Sequence, residues 1–219
     1  MLLIAGARAQ VSGSVTLASD DRYRGLSLSD ERPAAELGVA YDAAAGWYAG
    51  AMLATVRPDG GLRLQLLGYA GVARPLRPGV DWDVGVQYTT VAGDARYRYP
   101  EAYLGLNAER GSVRLAYARR YFGQPSPALY LALDHRWPLS GQLHLLGHLG
   151  VLRYNGELRH DSTHYRFDGR IGLGLDWHHA QLQLAWTVAR GSEGPYPFGY
   201  REGDERDRQA WVLSWSRAW

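Results

Sequence analysis

The last nine residues, Trp211-Val-Leu-Ser-Trp-Ser-Arg-Ala-Trp219, decide how the rest of the chain is read. Every second residue puts Trp211, Leu213, Trp215, Arg217 and Trp219 on one face, while Ala210, Val212, Ser214, Ser216 and Ala218 take the other. A period of two belongs to a β-strand, here with one bulky apolar side and one small or hydroxylated side. The last strand of a soluble sandwich accounts for the alternation but not for alternating tryptophans that run to the terminus. A strand in a bilayer accounts for both, because indole rings settle where lipid meets water. Arg217 breaks the apolar face, although beside an interface a long side chain can reach back to water.

The same alternation runs along the whole sequence. It predicts strands at 11–18, 33–42, 47–56, 62–73, 81–90, 100–109, 112–121, 128–137, 143–154, 165–178, 180–190 and 208–219. Their lengths suit the roughly 9–11 residues that cross a bilayer at a tilt. Leu182, Leu184, Trp186 and Val188 oppose Gln181, Gln183, Ala185 and Thr187, and Trp82, Val84, Val86 and Tyr88 oppose Asp81, Asp83, Gly85 and Gln87. Strands 47–56 and 62–73 carry large residues on both sides and leave the faces ambiguous. No run of about 18 apolar residues occurs, so any passage through a membrane is by a barrel.

The gaps between these strands sort by length. Those at 19–32, 91–99, 155–164 and 191–207 are long, those at 42–46, 109–111, 138–141 and 178–180 are tight, 122–127 is intermediate, and 57–61 and 74–79 are nearly equal. With the N-terminus in the periplasm, the four longest gaps all fall outside, as in outer-membrane barrels. Tyr41, Trp47, Tyr48, Trp82, Tyr88, Tyr121, Trp137, Tyr154, Trp177, Trp211 and Trp219 lie near strand ends and read as interfacial girdles. The polar faces are rich in Gly, Ala and Ser with isolated charges, unlike the dense charge of a soluble surface. Turned inward, they line a lumen with Glu36, Asp81, Asp83, Glu101, Arg114, Arg120, Asp134, Arg136, His144, His148, Asp168, Arg170 and Asp176. The expected fold is all-β: a single closed antiparallel transmembrane β-barrel of twelve strands. A lipocalin-like barrel with its apolar side inward is the rival arrangement.

Composition narrows the function. The barrel domain is expected over 10–219. Residues 1–9 read as a signal-peptide remnant, because Leu2–Gly6 is apolar and Ala7-Arg8-Ala9 has the small-x-small form that precedes cleavage. With no cysteine, disulfides and thiolate metal sites are excluded. A net charge of +2 and the lack of a basic stripe imply no nucleic-acid partner. His144 and His148, four apart on one face, are separated by about 13–14 Å at ~3.4 Å per residue, too far to share a zinc. His160 and His164 flank Asp161 in a loop and read as solvated. No cofactor or metal is expected. A lipid hydrolase needs Ser, His and an acid or amide together on the outer wall; His135 falls on an apolar face, with no serine motif linked to it.

Ser19-Asp20-Asp21-Arg22-Tyr23-Arg24-Gly25-Leu26-Ser27, followed by Pro33-Ala34, resembles the SD-x-x-aromatic-RG-x-S opening of the TorF-like porins, a proteobacterial outer-membrane family. Asp21 stands where that family usually has Tyr. Gly46-Trp47-Tyr48-Ala49-Gly50 and Tyr97-Arg-Tyr-Pro-Glu101 are similar to later family segments. Trp211, Leu213, Trp215 and Trp219 resemble the terminal targeting strand of outer-membrane barrels. The resemblance implies a barrel in a Gram-negative outer membrane, in contact with its lipid, its lipopolysaccharide and the barrel-assembly machinery. It implies a class and no cargo, because the family has no established substrate. For Arg24-Gly25 the expected role is structural, the guanidinium bonding loop carbonyls or a lumenal carboxylate such as Asp20.

The function expected is passive diffusion of small hydrophilic solutes, with facing acids and arginines setting a transverse field in the pore. Their mixed signs give no ion preference. The alternatives are a lumen plugged by its own side chains, a receptor or adhesion barrel with its specificity in the outside loops, and, further off, a lipid hydrolase. Loop 191–207, with Pro195–Phe198 and a run of acids, is read as mobile in preference to a constriction or a lipopolysaccharide contact. Nothing in the sequence points to an oligomeric state.

Overall fold

The computed structural model describes residues 9–155, 163–192 and 209–219. The wall is built from β1 (Gln10–Ala18), β4 (Ala34–Asp42), β5 (Trp47–Val56), β6 (Arg63–Arg77), β7 (Val80–Val91), β8 (Asp94–Ala108) and β9 (Gly111–Ala118). It continues through β10 (Ala128–Pro138), β11 (Leu143–Asn155), β12 (Thr163–Trp177), β13 (Ala180–Gly191) and β14 (Gln209–Ala218). Two further strands, β2 (Arg22–Tyr23) and β3 (Leu26–Ser27), pair only with each other. The wall is one closed barrel of twelve strands, each antiparallel to its neighbours. Closure leaves no bare edge, which lipid requires because it offers no hydrogen bonds to backbone groups.

The C-terminal segment seals the seam. β1 pairs with β14 from Ser14↔Ala218 to Ala18↔Ser214. Beyond β14, Trp219 exchanges two backbone hydrogen bonds with Gly13, at 3.0 and 3.1 Å. Its indole lies across Gly13, where a Cβ would be 2.5 Å from the ring.

Burial settles which face looks inward. Along β7, Val84 and Val86 are 45% and 59% exposed while Asp83, of the opposite parity, is 3% exposed. Leu104, Leu131, Leu133, Ile171, Leu173, Leu184, Trp211 and Leu213 likewise stand exposed on the outer wall. An apolar exterior of that extent belongs in lipid, and the lipocalin-like arrangement is excluded. Tyr41, Trp47, Tyr88, Trp137, Trp177, Trp211 and Trp219 are on the outside, and Trp82 shares the outward parity of Val84. Three girdle assignments are corrected. Tyr48 points inward to Asp83, Tyr154 is buried on the inner face of β11, and Tyr121 is buried beyond the end of β9. Tyr48 lies in one of the strands whose two faces are both bulky, so parity could not orient it.

At the end that carries the C-terminus the turns are short, at 43–46, 78–79, 109–110, 139–142 and 178–179. The stretch 74–79 is among them, because β6 continues through a bulge at Pro75/Arg77; a bulge tolerates a proline that cannot donate. The long loop expected at 91–99 is not one. β7 and β8 run on to a two-residue turn at Ala92–Gly93, pairing up to Val91↔Asp94. Residues 1–8, and with them most of the signal-remnant assignment, lie outside the described residues, as do 156–162 and 193–208 of the loops at 155–164 and 191–207.

Candidate functional site

The first connection does not stay outside. After β1 the chain turns into the barrel and forms the β2–β3 hairpin, whose two-residue turn is Arg24-Gly25. Both residues have positive φ, 53° and 76°, the twist that a tight hairpin needs and that glycine supplies without strain. At the tip, a Cβ on Gly25 would lie 2.7 Å from Ala189 Cβ and 2.9 Å from Asp168 Cβ. Backbone therefore presses directly on the walls of β12 and β13. Asp20 organises the base, accepting hydrogen bonds from Arg22 Nε (2.5 Å), Ser27 Oγ (2.6 Å) and Ser29 Oγ (3.0 Å). Asp21 lies beside it, its amide donating to Ser29 Oγ at 2.9 Å. Burial of its carboxyl, with Glu36 and Asp20 nearby, pushes the pKa up to about 7.

Beyond the tip, the half of the lumen away from the chain's termini is packed. Leu26 and Leu28 join Tyr97, Tyr99, Tyr121 and Phe122 in one buried cluster. Phe122 stacks on Tyr99 with ring centroids 5.4 Å apart.

Arg24 crosses the lumen to β8. Its guanidinium donates to both oxygens of Glu101, at 2.9 and 2.6 Å, and Gln87 Nε2 donates to the same carboxylate at 2.9 Å. The Arg24 Cζ sits 4.2 Å from the Tyr130 ring centroid and 4.6 Å from that of Tyr23. The partner is a lumenal carboxylate, the expected kind, but it is Glu101 and not Asp20. Arg22 lies back on Asp20, whereas the turn projects Arg24 across to the opposite wall.

Below the hairpin, polar side chains link the walls. Asp83 accepts from Tyr48 Oη (2.9 Å) and Asn107 Nδ2 (2.7 Å), with Arg114 Nη2 at 3.5 Å. Asp168 contacts Tyr130 Oη (3.1 Å) and His148 Nε2 (2.9 Å), and the other His148 nitrogen meets Asp134 at 2.8 Å. Nearer the short turns, Arg136 bonds Asp176 and reaches His144 Nδ1 at 3.0 Å. His144 and His148 thus sit in separate networks, and among the described residues no His, Asp and Glu group is arranged to hold a metal.

Of the residues read as lumenal, Asp83, Glu101, Arg114, Asp134, His148, Asp168 and Arg170 lie around mid-height. Arg136, His144 and Asp176 lie nearer the turns. Glu36 is half-buried on the inner face of β4, and Asp81 is exposed near the mouth that carries the short turns. Arg120 is corrected: β9 ends at Ala118, and Arg120 lies exposed in the following connection, its Nη2 on the Gly123 carbonyl. Gln87 stood on the polar face of its strand but outside the candidate set, and Tyr103, Asn107 and Tyr130 were missed. The inward parity of these three was legible, being opposite to that of Leu104 and Leu131, but only acids, arginines and histidines were taken as lumenal candidates. Between the hairpin and these walls lies a cavity of about 260 Å³ lined by Arg24, Glu101, Arg114, His148, Asp168 and Arg170 among others.

The same architecture occurs in solved structures. The KdgM porin is similar at 11% identity with a TM-score of 0.55, over 94% of this chain and 98% of that one. The KdgM porin in complex with disordered oligogalacturonate is similar at 10% identity with a TM-score of 0.53, over 94% and 97%. A protein solved in work on the in-meso crystallization of membrane proteins is similar at 10% identity with a TM-score of 0.57, over 95% and 83%. Identities this low speak for the fold alone. No curated protein matches in sequence. The family model described as "Bacterial protein of unknown function (Gcw_chp)" matches residues 5–219, and the chain belongs to that family.

Proposed function

We propose that this barrel is an outer-membrane channel for passive diffusion of small hydrophilic solutes, with no enzymatic activity, and that its own first loop sets the constriction. The observation that carries the proposal is the cavity of about 260 Å³ at mid-height, bounded by charged side chains inside a closed barrel with an apolar exterior. Acids and guanidinium groups on facing walls set the transverse field by which a pore filters solutes. The fold shared with the KdgM porin supports a channel, and the TorF-like form of Ser19–Ser27 supports a place among Gram-negative outer-membrane porins. The same reading takes residues 1–9 as a signal remnant and makes lipid, lipopolysaccharide and the barrel-assembly machinery the chain's surroundings. His135 packs in a tilted arrangement against Trp137 on the outer wall, with ring centroids 4.4 Å apart, which favours a packing role over lipid hydrolysis.

Purified protein in a planar bilayer tests the proposal. Discrete conductance steps are expected, larger in Arg24→Ala. Silence from both proteins, with both folded, would remove the channel. One observation favours a second reading: the Arg24–Glu101 lock and the aromatic cluster fill the outer half, as in a plugged receptor or adhesion barrel. On that reading the wild type is silent and only Arg24→Ala conducts.

A further inference from the structure

We infer that the mid-lumen cavity is a binding site for small organic anions, carboxylated sugars above all, with Arg114 and Arg170 holding the charge. This rests on the channel reading and names its solute class. The signs of the lumenal residues are mixed, but their exposure is not. Arg114 and Arg170 have 48% and 46% of their side chains exposed, whereas the Asp83, Glu101 and Asp168 side chains are at 5% or less. A solute in the cavity meets guanidinium groups, because these carboxylates are covered and already engaged. Glu101 is taken by Arg24 and Gln87, Asp168 by Tyr130 and His148, and Asp83 by Tyr48 and Asn107.

The two arginines themselves are loosely held. Arg114 reaches Asp83 only at 3.5 Å and lies 4.7 Å from the Tyr103 ring centroid. Arg170 stands 3.8 Å from Asp134, the one partly exposed carboxylate nearby, which His148 already engages. Neither arginine forms a forked pair with a carboxylate, so each keeps donors for bidentate recognition of one.

The remaining walls suit a sugar ring. Tyr103 and Tyr130, each with a guanidinium over its ring, and Ala116, Ala132 and Leu67 contribute ring edges and apolar side chains to the cavity wall, against which a pyranose can pack. A volume of about 260 Å³ is the space of roughly nine waters at ~30 Å³ each, which fits one monosaccharide.

The test is calorimetric titration of the folded, detergent-solubilised protein with sodium glucuronate and, separately, with glucose, a neutral probe of nearly the same shape. Glucuronate should bind at least about tenfold more tightly, and Arg114→Gln with Arg170→Gln should weaken it about tenfold or more. Asp83 keeps Tyr48 and Asn107 in that variant, so the barrel should fold, as heat-modifiable gel migration will report. Each single variant serves if the double does not fold. Equal affinity for the two sugars, binding of neither, or glucuronate binding unchanged in the folded variants would overturn the site. Bilayer conductance separates this result from the channel reading. Conduction without glucuronate preference removes the site and leaves the channel, and glucuronate binding by a silent barrel does the reverse.

Discussion

Arg24 and Glu101 form a buried, forked ion pair between a loop and the wall. Removing one partner from such a pair costs about 3–5 kcal/mol, because the other charge is left without compensation. The hairpin is not part of the wall, so the loss should appear as local release. Arg24→Ala should speed hydrogen exchange across 20–29 while leaving the strands protected, and combining it with Glu101→Gln should cost less than the sum of the two. Asp21 adds a pH dependence. Its carboxyl is pushed from 3.8 up to about 7 by burial, then by Glu36 and Asp20. The seated hairpin therefore holds this proton more tightly than the released one does. The resulting stabilisation is complete below about pH 4, declines as the pH rises, and is gone above about pH 7. Exchange at 20–29 should be faster at pH 8 than at pH 5, and Asp21→Asn should flatten that difference.

Among the strands, inward glycines make room for inward tyrosines and acids on neighbouring strands. At Gly150 a Cβ would lie 2.1 Å from Tyr130 Oη and 2.5 Å from Asp168 Oδ2. Gly150→Ala should cost about 1–3 kcal/mol in denaturant unfolding and disturb the Asp168 network. Gly68→Ala, where nothing lies within 4 Å, should be close to neutral. At the seam, deleting Trp219 removes two backbone bonds and the indole over Gly13. A loss of about 1–3 kcal/mol is expected, measured as a lower unfolding midpoint and slower refolding into detergent. The wall strands were legible to within a few residues, because a two-residue period shows in any half-buried strand. The larger errors fell at strand ends. β8 extends to Asp94 because Tyr97 and Tyr99 keep alternating inward beyond the expected span, and β9 stops at Ala118 because Tyr121-Phe122 folds into the lumen.

For the whole molecule, closure is the property that governs behaviour. A closed barrel resists unfolding by detergent at room temperature, so unheated protein should migrate differently from boiled protein on a gel, and a soluble sandwich would show no such shift. The outer leucines and tryptophans should keep the protein insoluble once detergent is removed. In the candidate site, the inward acids and arginines of the wall were legible from parity, and a lumenal carboxylate was the expected kind of partner for Arg24, but not which one. No pattern within Ser19–Ser27 says which way the loop folds, or that it meets a residue 77 positions away.

By itself the sequence determined the wall: strand number, antiparallel order and, in all strands but the two with bulky residues on both sides, which side chains face lipid, because each strand's own alternation carries that information locally. Only the tertiary structure decided what occupies the lumen. The inward hairpin, the covered carboxylates and the two open arginines depend on contacts between strands far apart in sequence, and such contacts exist only once the barrel has closed.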